Sequence, residues 1–276
     1  MMKQNRYCLL GLWAWAGITA QAGGAQTAPD QWMQTIEAAY QQKDIEQTRQ
    51  GLDSLLARHP EYAPAYARRG LLHYEFAQYA EALQDYGQAI ALQPDAASYF
   101  YQRAIVHYQL NQTQDFEKDL MQALALEPSY AVAQTALGAW QYEQKQYRKA
   151  LQTQTQVIAQ HPDFLIAYHN RALVHWALRK PEQALSDLNF ILARDTAQAD
   201  ALSLRLLVWE ARKDYSALWQ DAQQLIVLKV HQGEAYFYRG LAHWHLQKES
   251  EACQDWQQAL ALGYGEAENW RRQYCP

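Results

Sequence analysis

The chain has 276 residues with a formal net charge of −5, and 49% of its residues are apolar. An intrinsically disordered chain is excluded, because such chains carry too little apolar surface to form a core. The acidic balance argues against a nucleic-acid partner, since binding to phosphates requires a basic surface. The sequence contains no run of 18 or more apolar residues, which is the pattern that predicts a membrane-spanning helix.

The N-terminus has the pattern of a secretory signal peptide. Lys3 and Arg6 precede a short apolar run and an Ala-Gln-Ala cleavage site that ends at Ala22. We therefore predict a signal peptide over residues 1–22 and export, either to a bacterial periplasm or out of the cell. The alternatives are a soluble amphipathic leader and an uncleaved anchor. Cleavage would leave a chain without a membrane span.

Beyond the N-terminus, one pattern returns every 34 residues. Within each interval the apolar residues follow the spacing of two amphipathic helices, and proline ends the second because it cannot continue a helix. An aromatic residue recurs in the first helix. The recurring positions are Pro60, Pro94, Pro128 and Pro162, and Tyr40, Tyr74, Tyr108, Tyr142, Trp176 and Trp244. Such a fixed interval predicts a repeat architecture.

The 34-residue frame divides the chain without insertion or deletion. A short lead-in of small residues, expected to be flexible, precedes it at 23–28. The predicted units are 29–62, 63–96, 97–130, 131–164, 165–198, 199–232 and 233–266. A closing helix is expected over 267–276.

The unit at 63–96 resembles the tetratricopeptide repeat (TPR). The residues that carry the resemblance are Tyr66, Gly70, Ala82, Tyr86, Ala89 and Pro94. The resemblance implies an all-α, right-handed superhelical solenoid of helix–turn–helix repeats with a C-terminal capping helix. In proteins of this kind the first helices line a concave groove, where partners bind. The sixth unit departs from the pattern, with Leu206, Leu218 and Leu225 in place of the small residues.

Two columns of opposite charge run along the repeats. The arginines and aspartates stand 16 residues apart, as Arg69–Asp85, Arg103–Asp119, Arg171–Asp187, Arg205–Asp221 and Arg239–Asp255. In the fourth unit both are replaced, by Leu137 and Thr153. The first unit also lacks both, with Thr35 and Gly51. This covariation predicts a structural ion pair between the two helices of each unit.

Histidines accompany four of the arginines. His73, His107, His175 and His243 lie four residues after them and share their helix face. Four copies of one set indicate structural hydrogen bonds, because an enzyme needs a single site. No zinc, phosphate-loop or nucleophile motif occurs. We predict no enzymatic activity, no cofactor and no metal.

The resemblance places a row of side chains on the concave wall. The predicted ligand-binding residues are Tyr40, Leu71, Tyr74, Tyr101, Tyr108, Tyr142, His169, Trp176, Phe237 and Trp244. Aromatic rings offer a large contact area at low entropic cost. We predict a protein-binding scaffold of the cell envelope that holds an extended peptide segment or partner protein. The alternatives are a carbohydrate-associated protein, which guides an envelope polysaccharide along the rings, and rings that only pack adjacent helices.

Two cysteines remain after removal of the predicted signal peptide, Cys253 and Cys275. An even number in an exported chain predicts a disulfide. Two unpaired buried thiols are the alternative. The bond would fasten the closing helix to the last unit.

Overall fold

The computed structural model describes residues 28–275, and this part of the chain is all-α. The predicted signal peptide and residues 23–27 of the lead-in lie outside it, whereas Ala28 is already helical. The helices are α1 (Ala28–Gln41), α2 (Ile45–Arg58), α3 (Ala63–Glu75), α4 (Tyr79–Leu92), α5 (Ala97–Gln109), α6 (Thr113–Leu126), α7 (Ala131–Glu143), α8 (Tyr147–Gln160), α9 (Leu165–Ala177), α10 (Pro181–Arg194), α11 (Ala199–Arg212), α12 (Tyr215–Leu228), α13 (Gln232–His245), α14 (Glu249–Ala261) and α15 (Ala267–Tyr274). None of these helices is long and apolar enough to cross a membrane.

The helices alternate as first and second members of pairs. The starts of α3, α5, α7, α9 and α11 lie 34 residues apart. In four of the pairs the second helix ends two residues before a proline, as α4 does at Leu92 before Pro94. The helical periodicity of the sequence therefore becomes a series of helix–turn–helix units, and the fold class is all-α, as predicted.

The turn inside each pair contains one residue in the left-handed conformation. These residues are Lys43, Ala77, Asn111, Lys145, Arg179, Lys213 and Gln247, with φ between 56° and 62°. In the turn between α3 and α4, the amide of Gln78 donates to the carbonyl of His73 (2.8 Å), and the amide of Ala77 donates to the carbonyl of Tyr74 (3.0 Å). Helices commonly end in this way at a residue with left-handed backbone angles, and that residue is usually glycine. Here no turn uses glycine, so the sequence does not signal the conformation.

The described chain forms two compact units that divide inside α7, at residues 28–134 and 135–275. Within each unit the helices in close contact are neighbours one or two places apart along the chain. Stabilisation by local neighbours is the property that defines repeat proteins.

Small residues allow the paired helices to approach each other. In the second pair the buried residues include Gly70, Leu72, Ala82, Tyr86 and Ala89. A β-carbon at position 70 would lie 3.2 Å from the Tyr86 ring, so glycine makes room for the ring. Tyr66, Leu83 and Ile90, which the pattern also places inside, are half-buried and pack against the rim of this core.

The C-terminal unit ends in a covered aromatic cluster. Trp256 of α14 is fully buried, and its ring centroid lies 5.5 Å from that of Trp270 on α15. Tyr274 of α15 packs at 4.5 Å on Trp244. A disulfide joins Cys253 to Cys275, with their Cα atoms 5.7 Å apart. The helix α15 therefore covers the apolar end of the last pair and is covalently held there.

Three polar side chains, Gln134, Thr135 and Gln154, are buried in the fourth pair. Gln154 of α8 is fully buried. Its Nε2 donates to the carbonyl of Thr135 (3.0 Å), whereas its Oε1 is buried without a hydrogen-bond partner. The equivalent positions one repeat before and after hold Leu120 and Leu188, which are both buried.

Replacing Gln154 by leucine is expected to raise the free energy of unfolding of the C-terminal unit by about 1 kcal/mol, because an unsatisfied buried oxygen is removed. Urea denaturation followed by tryptophan fluorescence measures the change. Gln156→Leu, at an exposed position on the same helix, is the control and is expected to have no such effect. A loss of stability in Gln154→Leu would show that the amide is needed where it stands.

Candidate functional site

The candidate site is the first-helix face, the surface that α1, α3, α5, α7, α9, α11 and α13 contribute to their own compact unit. Three of the ten predicted binding residues are buried there: Tyr101 and Tyr108 are each 7% exposed and Phe237 is 6% exposed. The remaining residues are half-buried, namely Tyr40, Leu71, Tyr74, Tyr142, His169, Trp176 and Trp244. A partner could therefore reach only the seven half-buried residues without a rearrangement of side chains.

Several rings of the aromatic column pack on the second helix of their own pair. Tyr74 lies 5.9 Å from Tyr79, and Tyr142 lies 5.4 Å from Tyr147, measured between ring centroids. Tyr108 packs at 5.4 Å on Phe116. These contacts show that the column contributes to packing, whatever else it does. Tyr74 and Tyr142 keep part of their surface accessible.

A polar network surrounds Tyr40 in the N-terminal unit. The guanidinium of Arg68 lies 3.7 Å from the centroid of its ring and forms an ion pair with Glu37 at 2.8 Å. The Tyr40 hydroxyl donates to a carboxylate oxygen of Glu75. Burial, together with this hydrogen bond, raises the pKa of Tyr40 to about 12. Arg68, which is only 2% exposed, was missed by sequence reasoning because no repeat pattern marks its position.

The aromatic residues of the C-terminal unit differ in accessibility. Trp244 is partly covered by Tyr274 of α15, whereas Trp176 is partly buried and packs against the core. His169 lies near Asp200, and burial lowers the pKa of its imidazole despite this carboxylate. Neutral imidazole and a half-buried indole make this part of the face weakly polar.

The Arg–Asp columns meet inside the helix pairs. In each of the five pairs the arginine Nε and Nη2 donate to the two carboxylate oxygens of the aspartate, within 2.9 Å. The aspartate side chains are 4–6% exposed and the arginines 18–26% exposed. This bidentate geometry satisfies both oxygens in a largely dry environment. These residues lie between helices and present no carboxylate to a partner.

Three of the four accompanying histidines interact within their own pairs, whereas the Nδ1 of His175 is buried without a hydrogen-bond partner. His243 donates from Nδ1 to Asp255 (2.9 Å), while its Nε2 accepts from the indole of Trp219 (2.9 Å). His73 and His107 place Nε2 at 3.6 Å from the aspartate of their own pair. Burial lowers the pKa of His175. Among residues 28–275, no cluster of three or more His, Cys, Asp or Glu side chains is arranged to hold a metal ion.

Comparison with known proteins agrees with this geometry. A model of the TPR repeat matches residues 78–111, which contain α4 and α5. This segment is therefore a tetratricopeptide repeat. The matched segment has the length of one repeat, although it joins the second helix of one pair to the first helix of the next. No curated protein matches the sequence.

Solved TPR structures share the fold at low sequence identity. A structure of PilF from Pseudomonas aeruginosa covers 76% of this chain and 97% of its own, with a TM-score of 0.69 and 18% identity. A structure of PilW, described as a type IV pilus biogenesis factor, covers 73% and 93%, with a TM-score of 0.64 and 20% identity. A TPR protein from Parabacteroides merdae covers 90% and 99%, with a TM-score of 0.63 and 13% identity. At such identities the likeness concerns the fold alone.

Proposed function

We propose that this TPR protein is a non-enzymatic scaffold that binds an extended peptide segment of a partner protein on its first-helix face. The observation that carries the proposal is the half-buried aromatic row, above all Trp176, which packs against the core and keeps part of its surface accessible. Aromatic residues held in this way lose little entropy on binding. The proposal includes the division of the chain into the seven units that the 34-residue frame predicts.

We also place the scaffold in the cell envelope. The predicted signal peptide and the disulfide between Cys253 and Cys275 support an oxidising compartment outside the cytosol. The structural likeness to PilW, a type IV pilus biogenesis factor, is compatible with such a setting. Fractionation of cells that express the full chain, with detection of the cleaved form, tests this part of the proposal.

Replacing Trp176 by alanine is expected to weaken peptide binding by about tenfold or more, as for a central aromatic residue in an interface. The measurement is fluorescence anisotropy with a panel of labelled extended peptides and, in parallel, of labelled oligosaccharides. Val227→Ala, at a 65% exposed position on α12, is the control. Unchanged peptide affinity in Trp176→Ala would contradict the proposed face, and binding of oligosaccharides in place of peptides would contradict the proposed ligand.

A further inference from the structure

The short helix α15 lies at one end of the first-helix face. Its first residue, Ala267, stands 34 residues after Gly233, so α15 takes the place of a further first helix in the 34-residue frame. It has only 8 residues, whereas α13 has 14. A helix of this length is not stable in isolation, so α15 depends on its contacts with α13 and α14.

The inner side of α15 is aromatic and contacts the predicted binding row. The ring of Tyr274 packs at 4.5 Å on Trp244, and the ring of Trp270 lies edge-on to Phe237 at 6.4 Å. Trp270 also packs at 5.5 Å on Trp256, which is fully buried. Two of the ten predicted binding residues, Phe237 and Trp244, are therefore in contact with α15.

The outer side of α15 is polar and exposed. Arg272 forms an ion pair with Glu268 one turn earlier in the same helix, at 2.6 Å, and its side chain is 72% exposed. An exposed pair of this kind adds little stability. The attachment of α15 therefore depends on its aromatic inner side and on the disulfide between Cys253 and Cys275.

The segment that joins α14 to α15 contains two glycines. The backbone of Gly263 has a φ of 82°, in the left-handed region that glycine adopts without strain. An added β-carbon at Gly263 or at Gly265 would meet no atom within 4 Å beyond the neighbouring residues. Short loop segments absorb the backbone changes of hinge motions. This connection therefore has room to act as a hinge when α15 moves.

We propose that α15 is a redox-controlled lid on the first-helix face, which the disulfide closes and a dithiol reductant opens. A thiolate of the dithiol attacks one sulfur of the disulfide and forms a mixed disulfide, which the second thiol of the reductant then resolves. The dithiol is oxidised to a disulfide, and its two electrons and two protons pass to Cys253 and Cys275, which become thiols. Both cysteines are half-buried rather than buried, so a thiolate can reach them.

This inference rests on the proposed function of the first-helix face and adds its regulation. In the oxidised protein Tyr274 lies against Trp244 and competes with a peptide for its ring. Release of α15 removes this competitor and extends the accessible row beyond Trp176. An oxidising compartment keeps the lid closed, so the open state requires delivery of a reductant.

The test measures the affinity of the labelled peptide panel for the full chain by anisotropy, before and after complete reduction with dithiothreitol, verified by thiol titration. Reduction is expected to tighten peptide binding by about tenfold, the effect of one central aromatic contact. Trp244→Ala is expected to change the affinity of the oxidised protein by less than about twofold and to abolish the gain on reduction. Trp176→Ala is expected to weaken binding in both states and to keep the gain.

Two further measurements isolate the opening of the lid. Cys253→Ala/Cys275→Ala is expected to bind peptide like the reduced wild type and to ignore dithiothreitol. Acrylamide quenching of tryptophan fluorescence is expected to rise on reduction of the wild type and to stay constant in the double variant. The loss of helical circular dichroism on reduction is expected not to exceed that of the eight residues of α15. Equal affinity in the two redox states, or a gain that persists in Trp244→Ala, would overturn the proposal.

The two proposals fail in different ways. If the panel binds and Trp176→Ala weakens this binding, while complete reduction changes neither affinity nor quenching, the scaffold proposal stands and the lid is wrong. If no peptide binds in either redox state while quenching still rises on reduction, the lid opens and the scaffold proposal is wrong.

Discussion

Replacing Asp187 by alanine is expected to lower the free energy of unfolding of the C-terminal unit by about 3 kcal/mol, the lower part of the range for breaking a buried ion pair. The Asp187 side chain is 6% exposed and accepts hydrogen bonds from Arg171 Nε (2.9 Å) and Nη2 (2.6 Å). Its loss leaves the guanidinium, which is only 19% exposed, without a carboxylate. Urea denaturation followed by tryptophan fluorescence measures the effect, since seven of the eight tryptophans in the described residues lie in this unit.

The fourth pair supplies a matched control for this ion pair. At the equivalent positions it has Leu137, Gln141 and Thr153, and the Thr153 hydroxyl donates to Gln141 (2.9 Å). The triple variant Arg171→Leu/His175→Gln/Asp187→Thr copies that set and is expected to lose less stability than Asp187→Ala. No unpaired buried charge remains in it.

A surface ion pair serves as the second control. Asp163 is 88% exposed and lies 3.7 Å from Arg194, so Asp163→Ala is expected to cause no measurable change. If Asp187→Ala were as stable as Asp163→Ala, the buried ion pairs would not stabilise the helix pairs as predicted.

Reducing the disulfide between Cys253 and Cys275 is expected to cost about 3 kcal/mol, because the bond closes a loop of about 22 residues and restricts the unfolded chain. Release of α15 would also uncover Trp244 and Trp256. Hydrogen exchange of residues 267–274, with and without dithiothreitol, is the direct measurement. The expected result is that, after reduction, the amides of α15 exchange faster than those in the rest of the unit.

The double variant Cys253→Ala/Cys275→Ala separates the bond from the reagent. It is expected to unfold like the reduced protein and to be insensitive to dithiothreitol. Unaltered protection of α15 after reduction would mean that the packing of Trp270 on Trp256 (5.5 Å) and of Tyr274 on Trp244 (4.5 Å) holds the helix without the bond.

The sequence by itself determined the helix pairs and their interval. Helices α3 and α5 begin at Ala63 and Ala97, the first residues of the predicted units. Such agreement is possible because apolar periodicity and proline act locally, and because each helix in a repeat fold packs mainly on its chain neighbours. The covariation of arginine with aspartate was readable for the same reason, since both partners lie in one pair.

The exposure of individual rings was decided by tertiary structure. Tyr74 and Tyr108 occupy equivalent positions, yet Tyr74 is half-buried and Tyr108 is buried. Their immediate partners differ, since Tyr74 packs on Tyr79 and Tyr108 on Phe116. A column in the sequence marks a shared helix face but does not specify what covers that face.

The polar network around Tyr40 depends still more on the fold. Tyr40, Arg68 and Glu75 are 28 and 7 residues apart, which is not the repeat interval, so no periodic pattern joins them. Only the tertiary fold brings the Arg68 guanidinium to 3.7 Å from the centroid of the Tyr40 ring and the Tyr40 hydroxyl to Glu75. Local sequence determined the repeated helices, whereas charge and burial at this surface arise from side chains that only the stacked helices bring together.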